Sequence, residues 1–168
     1  MRDRRFVAKH RGGPLDHDNR VVLARWAADC AEGVLHYYTR RHQDERLTEA
    51  LEILRKWVDG EVKTGVAMVA ARSAHAAARE AKNKAAIAAA RAVGQAVGTA
   101  HAADHSMGAL LYALKARQAA GHSIEDELSG RLGQLPDHLR DQVASGVYAR
   151  MRKIGIRGTE QSEQSARN

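Results

Sequence analysis

The residues best suited to chemistry in this chain are histidines. The segment His101-Ala-Ala-Asp104-His105 places two imidazoles four positions apart. On one continuous helix such a pair shares a face and can hold a metal ion. An acid beside the second imidazole is the arrangement of the inverzincin pattern, His-x-x-Glu-His. Here Asp stands in place of Glu, one methylene shorter, and reaches a metal-bound water less easily. A third ligand would have to come from elsewhere, with His75 the obvious choice. Histidines in helical bundles more often cap helix ends or bond backbone carbonyls. The sequence therefore reads as having no cofactor and no required metal, with His101 and His105 as the weak candidate pair.

A second constellation is WAADCAE at 26–32. Trp26, Asp29 and Cys30 fall near one helix face, and Glu32 points away. A lone Cys beside a base can be a nucleophile. Cys30, however, sits on an apolar stripe, where a free thiol behaves as a small hydrophobe. The third is SAHAAARE at 73–80, in which His75 and Arg79 are helical neighbours. A carboxylate such as Asp29 could join them in a network between helices; otherwise they are candidates for binding a partner. No Gly-rich phosphate loop is followed by Lys-Ser/Thr. No cluster of acids could hold two Mg²⁺ ions. Nucleophile, base and orienting group are nowhere together, so the chain reads as a binding protein and not an enzyme.

Helices must position these groups. Of 168 residues, 32 are Ala, the best helix former and a small core residue. Two Pro and few β-branched residues leave little for a sheet. The expected class is all-α, a compact bundle of six or seven helices with tight Ala-rich packing. A flexible arm occupies 1–13, a single helical domain 14–154 and a disordered polar tail 155–168. Asp16 or Asp18 caps a first helix running to about 40, with Leu23, Trp26, Cys30, Val34 and Tyr37 along one stripe. A second helix follows Asp44 and stops at Asp59-Gly60. Others cover about 62–81, 84–100 and 104–120. Ser123 caps a sixth, and Pro136 opens a seventh that carries Leu139, Val143, Val147 and Met151. Gly94 and Gly98 form a small face suited to close helix crossing.

Charge and cysteine content narrow the setting. Cys30 is the single cysteine, so no intrachain disulfide and no multi-cysteine zinc site exists. There is no classical signal peptide and no apolar run of the roughly 18 residues that would suggest a membrane span. The expected setting is cytoplasmic, with no membrane partner. The net charge of +7 is uneven: residues 61–120 carry +5 of it. That basic, Ala-rich block could mark a nucleic-acid footprint; its blander reading is solvated helix faces.

Several segments together carry a family likeness: WAADCAE at 26–32, AHAAARE at 74–80, GQAVGTAH at 94–101 and YALKA at 112–116. In this order they resemble a bacterial group similar to the fifth immunity-protein family of polymorphic toxin systems, over about residues 15–140. The resemblance implies an all-helical cytoplasmic protein that protects its producer by binding a cognate protein toxin. It carries over no active or binding residues. Some relatives bear an exonuclease-subunit label, which no motif here supports. Related chains tend to have Pro just after the position of His101, where this one has Ala102-Ala103. Immunity proteins against nucleases are often acidic; a chain with pI near 9.9 suits an acidic toxin surface or a toxin that is not a nuclease. The alternative function is nucleic-acid association through the basic Ala-rich helices. A homo-oligomer is compatible with either.

Aromatics are scarce, and affinity concentrates in Trp, Tyr and Arg. Trp26 and Trp57 lie on apolar stripes. Tyr37 and Tyr38 sit side by side before Arg40 and Arg41, and adjacent helical residues point about 100° apart. One tyrosine must therefore face outward. The expected partner-binding residues are Tyr38, Arg40, Arg41, His75 and Arg79.

Overall fold

The computed structural model describes residues 3–157, and among these it contains α-helices, 3-10 turns and no strand. The helices are α1 (His17–Glu32), α2 (His36–Thr39), α3 (Arg46–Val58), α4 (Thr64–Glu80), α5 (Lys84–Gly98), α6 (His105–Ala119), α7 (Glu125–Gly133) and α8 (Asp137–Met151). The all-α expectation holds, and so does the order of elements.

Local chemistry sets most boundaries. Asp16 caps α1 by accepting from the Asn19 amide at 2.8 Å, and Asn83 caps α5 by accepting from the Ala86 amide at 3.1 Å. Gly60 and Gly121 adopt positive φ just past α3 and α6, where a side chain would be strained. The first helix does not run on to residue 40. After Glu32 the amides of Val34, Leu35 and Tyr37 bond carbonyls three residues back, at 3.1–3.3 Å. This tightened turn separates α1 from the single turn of α2.

The architecture is built around α5. Its residues Ala86, Ala89, Ala90, Ala92, Val93, Ala96 and Val97 are fully buried. Helices α1, α3, α4 and α6 all pack on it. A helix buried on most of its circumference must be small-sided if four neighbours are to approach closely; that is the structural use of the alanine. Gly94 is the extreme case: a Cβ there would lie 2.6 Å from the His75 ring of α4. Larger residues, among them Leu23, Leu54, Leu110 and Leu114, fill the spaces between helices. Arg20 closes the far end of α5. Its guanidinium donates to the Ala100 carbonyl at 2.9 Å and lies 5.6 Å from the Trp57 ring centroid.

Two boundary expectations change. Residues 3–13, read as a flexible arm, are folded back in two 3-10 turns. Phe6, the chain's one Phe, is buried, and the Lys9 amide bonds the Leu15 carbonyl at 2.8 Å. At the other end Ile156 is buried, so packing continues past 154. The rest of the expected tail, 158–168, lies outside the described residues.

Candidate functional interface

α5 and α6 are antiparallel neighbours, and their outward seam forms a trough. On α5 it is lined by Lys84, Ile87, Ala88, Arg91 and Gln95, a row with helical spacing. On α6 the matching row is His105, Gly108, Tyr112, Lys115 and Ala119. The middle of the trough is a groove of about 680 Å³ between Lys84–Arg91 and Tyr112–Ala119. Its floor is apolar, from Ile87, Ala88 and Ala119, and its rims carry Lys84, Arg91 and Lys115.

A second hollow of about 380 Å³ continues the trough at Ala119. It is walled by His36, Tyr37, Arg40, Arg41 and His122. The three rings are arrayed in series: His36 and Tyr37 centroids are 4.1 Å apart, Tyr37 and His122 6.4 Å. Burial, helped by Arg40 and Arg117, holds the His36 imidazole below its ordinary range, so it is neutral near pH 7. A third hollow of about 290 Å³ continues at Tyr112 and is edged by Asp104, Arg150 and Lys153.

The electrostatics follow from the census. Arg40, Arg41, Lys84, Arg91, Lys115, Arg150 and Lys153 face one carboxylate, Asp104. None of the seven cations forms an ion pair with a described residue. A concave surface with one sign of charge raises the local concentration of the opposite sign and steers its approach.

At one end of the trough and behind it, the helices are locked by polar residues set against glycines. His105 Nδ1 donates to Gln95 Oε1 at 2.8 Å, and its ring lies 3.3 Å from where a Cβ on Gly98 would be. Gln95 in turn occupies the space that a side chain on Gly108 would need. His75 rests on Gly94 with its Nδ1 buried and unpartnered among the described residues. Burial, with Arg91, His105 and Arg79 nearby, pushes its pKa down, so the imidazole is neutral.

The structure separates the sequence-predicted residues. Arg40 and Arg41 are exposed and line the second hollow. Tyr38 is instead buried at 1% exposure. Its hydroxyl donates to Asp44 at 2.6 Å and its ring stacks on His42. Burial, with the Asp44 hydrogen bond, pushes its pKa up to about 12. The outward tyrosine is Tyr37. His75 is a packing residue between α4 and α5, and Arg79 is exposed on α4. Asp29 does not join them; it pairs with Arg55 at 2.9 Å. His101 lies in the connection between α5 and α6, while His105 opens α6, so the two do not share a helix face. Among the described residues no group of three or more His, Cys, Asp or Glu could hold a metal. Cys30 is fully buried and its thiol is pushed up, leaving no thiolate to attack. Lys84, Arg91, Tyr112 and Lys115 were legible only as parts of basic helices. Their spacing, each row stepping three or four residues, was the available signal.

No curated protein and no solved structure matches the chain. One family model does, described as Imm-5 like putative immunity protein, and it matches residues 13–138. That span contains all of α1 to α7 and therefore both helices of the trough. It is three quarters of the sequence, and the chain belongs to the Imm-5 like putative immunity protein family.

Proposed function

We propose that this protein is a cytoplasmic immunity protein that binds a cognate bacterial toxin and neutralises it without catalysis. The observation that carries this reading is the trough: seven cations without an ion pair among the described residues, on a concave, partly apolar surface of an immunity-family chain. Unpaired charge on a surface costs little in water and gives a complementary partner faster approach and specificity. Tyr37, Arg40 and Arg41 supply the residue types in which binding energy concentrates. Arg79, exposed on α4, is a peripheral candidate, and Tyr38 and His75 act by holding the surface in shape.

The test is protection. Cells producing the toxin domain encoded beside this gene should grow when the full chain is co-produced. The purified pair should co-elute, with affinity falling as salt rises. Growth arrest unrelieved by the chain, with no co-elution, would overturn the reading. Binding to generic duplex DNA with a steep salt slope and no effect on any toxin would move it to nucleic-acid association.

A further inference from the structure

We propose that the central groove between α5 and α6 is the seat of an acidic amphipathic helix contributed by the partner. This rests on the immunity reading and names the chemistry of the bound segment. Lys84 and Arg91 are two helical turns apart, about 10.5 Å along the axis. Lys115 stands on the opposite rim. Cations spread along the seam on both rims favour an extended array of acids over a single anion. They match a row of acids spaced along a rod.

The floor sets the second requirement. Ile87 and Ala119 offer aliphatic surface, Ala88 between the helices is buried, and Tyr112 and Gln118 complete the lining. A nucleic-acid strand could meet the rims and stack a base on Tyr112, but its sugars and phosphates would leave the Ile87 and Ala119 side chains without an apolar partner. An aliphatic anchor fills it, as in other helix-in-groove recognition. The small residues Ala88 and Ala119 keep the floor low enough for a third helix to lie along the seam, ridges into grooves. An extended strand is disfavoured for a separate reason. Its backbone groups would meet side chains and not a sheet edge, since the described residues contain no strand. The occupant is thus a helix with Leu- or Ile-type residues on one face and Glu or Asp beside them.

The probe is a fluorescein-labelled 15-residue helical peptide with Leu on one face and Glu along both flanks, titrated with the full chain and read by anisotropy. Three comparison probes are its Lys-for-Glu twin, a Ser-for-Leu version, and a single-stranded oligothymidine of equal length. The acidic amphipathic peptide should bind at least tenfold more tightly than all three. Lys115→Glu, a surface change that leaves the melting curve in place, should weaken it at least tenfold. Ile87→Asp should do the same, with circular dichroism reporting that it folds. Equal or tighter binding of the oligothymidine, no binding of the acidic peptide, or indifference to Lys115→Glu would each overturn the proposal. Cell protection separates it from the immunity reading. If Lys115→Glu and Ile87→Asp still protect fully against the toxin, this seat falls and the immunity reading stands. If the wild-type chain gives no protection, the immunity reading falls and takes the seat with it.

Discussion

The molecule treats its cations in two ways. Around α1, α3 and α7 they are matched: Arg55 bridges Asp29 and Glu32, Arg46 bridges Asp44 and Glu80, and Arg131 pairs with Glu127. Along α5 and α6 they are left unmatched: Lys84, Arg91 and Lys115 meet no described carboxylate. Folding explains the first group, because each pair ties two elements or two turns together. It does not explain the second, whose mutual repulsion opposes compaction. The difference teaches where to look for function: charge that the fold does not use is charge available to a partner.

The largest test of this contrast is triple reversal on the trough, Lys84→Glu with Arg91→Glu and Lys115→Glu. Toxin affinity should fall by at least a hundredfold in a titration calorimeter, and stopped-flow mixing should show slower association. The melting temperature should hold or rise, since three reversals of two charges each take the net charge from +7 to +1 and ease repulsion across the whole chain. A melt lowered by several degrees would mean that these cations serve the fold after all.

The matched side should behave in the opposite manner. Asp44 accepts from the Tyr38 hydroxyl, the Arg46 amide and the Arg46 guanidinium. These bonds hold its carboxyl well below the usual range. Asp44→Ala leaves the Tyr38 hydroxyl buried without a partner and should cost about 2 kcal/mol in urea unfolding. Toxin affinity should change less than threefold. The sign with pH follows from the direction of the shift. A depressed carboxylate contributes stability above its unfolded pKa, and that stability fades as pH falls toward the folded value. Wild type and Asp44→Ala should therefore converge in acid.

How much of this contrast could be read in advance varies by level. The helices were legible because apolar spacing and the caps Asp16 and Asn83 are local signals. The break after Glu32 was not, since the stripe through Val34 and Tyr37 continues with helical spacing across a turn fixed by three-residue hydrogen bonds. Phe6 looked like part of a charged arm because its burial depends on a tertiary pocket. At the site, adjacency required one of Tyr37 and Tyr38 to face outward but could not choose. Asp44 and His42, arriving from the next connection, choose Tyr38 for burial. In the sequence the cations of the trough fit either a nucleic-acid footprint or solvated helix faces, and neither reading shows a groove. A row such as Lys84, Ile87, Arg91 becomes a groove only when a second row lies beside it and no further helix covers the seam.

His75 sharpens the comparison from behind the trough. Its ring, wedged on Gly94, faces Arg91 from α5, His105 from α6 and Arg79 from its own helix. Arg91 and Arg79 are cations, so a proton taken up by His75 meets like charge. With the folded pKa below the unfolded one, the unfolded state takes up the proton first. The contribution is complete above about pH 6.5 and declines as pH falls from there toward the folded value. Thermal melts at pH 7.5 and pH 5.0 should show wild type losing more stability than His75→Gln. Parallel curves would mean that the imidazole is already solvated or paired.

The smallest expected effect is on the matched side and tests whether matching means strength. Arg55 bridges Asp29 and Glu32 at 2.9 and 2.8 Å, but its side chain is 35% exposed and theirs are 46% and 48% exposed. Water already solvates much of all three groups, and salt screens what remains. Removing Arg55 leaves two carboxylates facing solvent, not two buried charges, so the penalty of an orphaned ion does not arise. Arg55→Ala should therefore cost less than about 1 kcal/mol in urea unfolding, and less again in 0.5 M salt. Part of that loss should persist in salt, because the aliphatic stem of Arg55 also covers apolar surface. A loss above about 2 kcal/mol would require the α1–α3 contact to depend on this bridge in a way its exposure does not support. The contrast would then lie between a fold that needs its ion pairs and a surface that lacks them, not between idle charge on one side and available charge on the other.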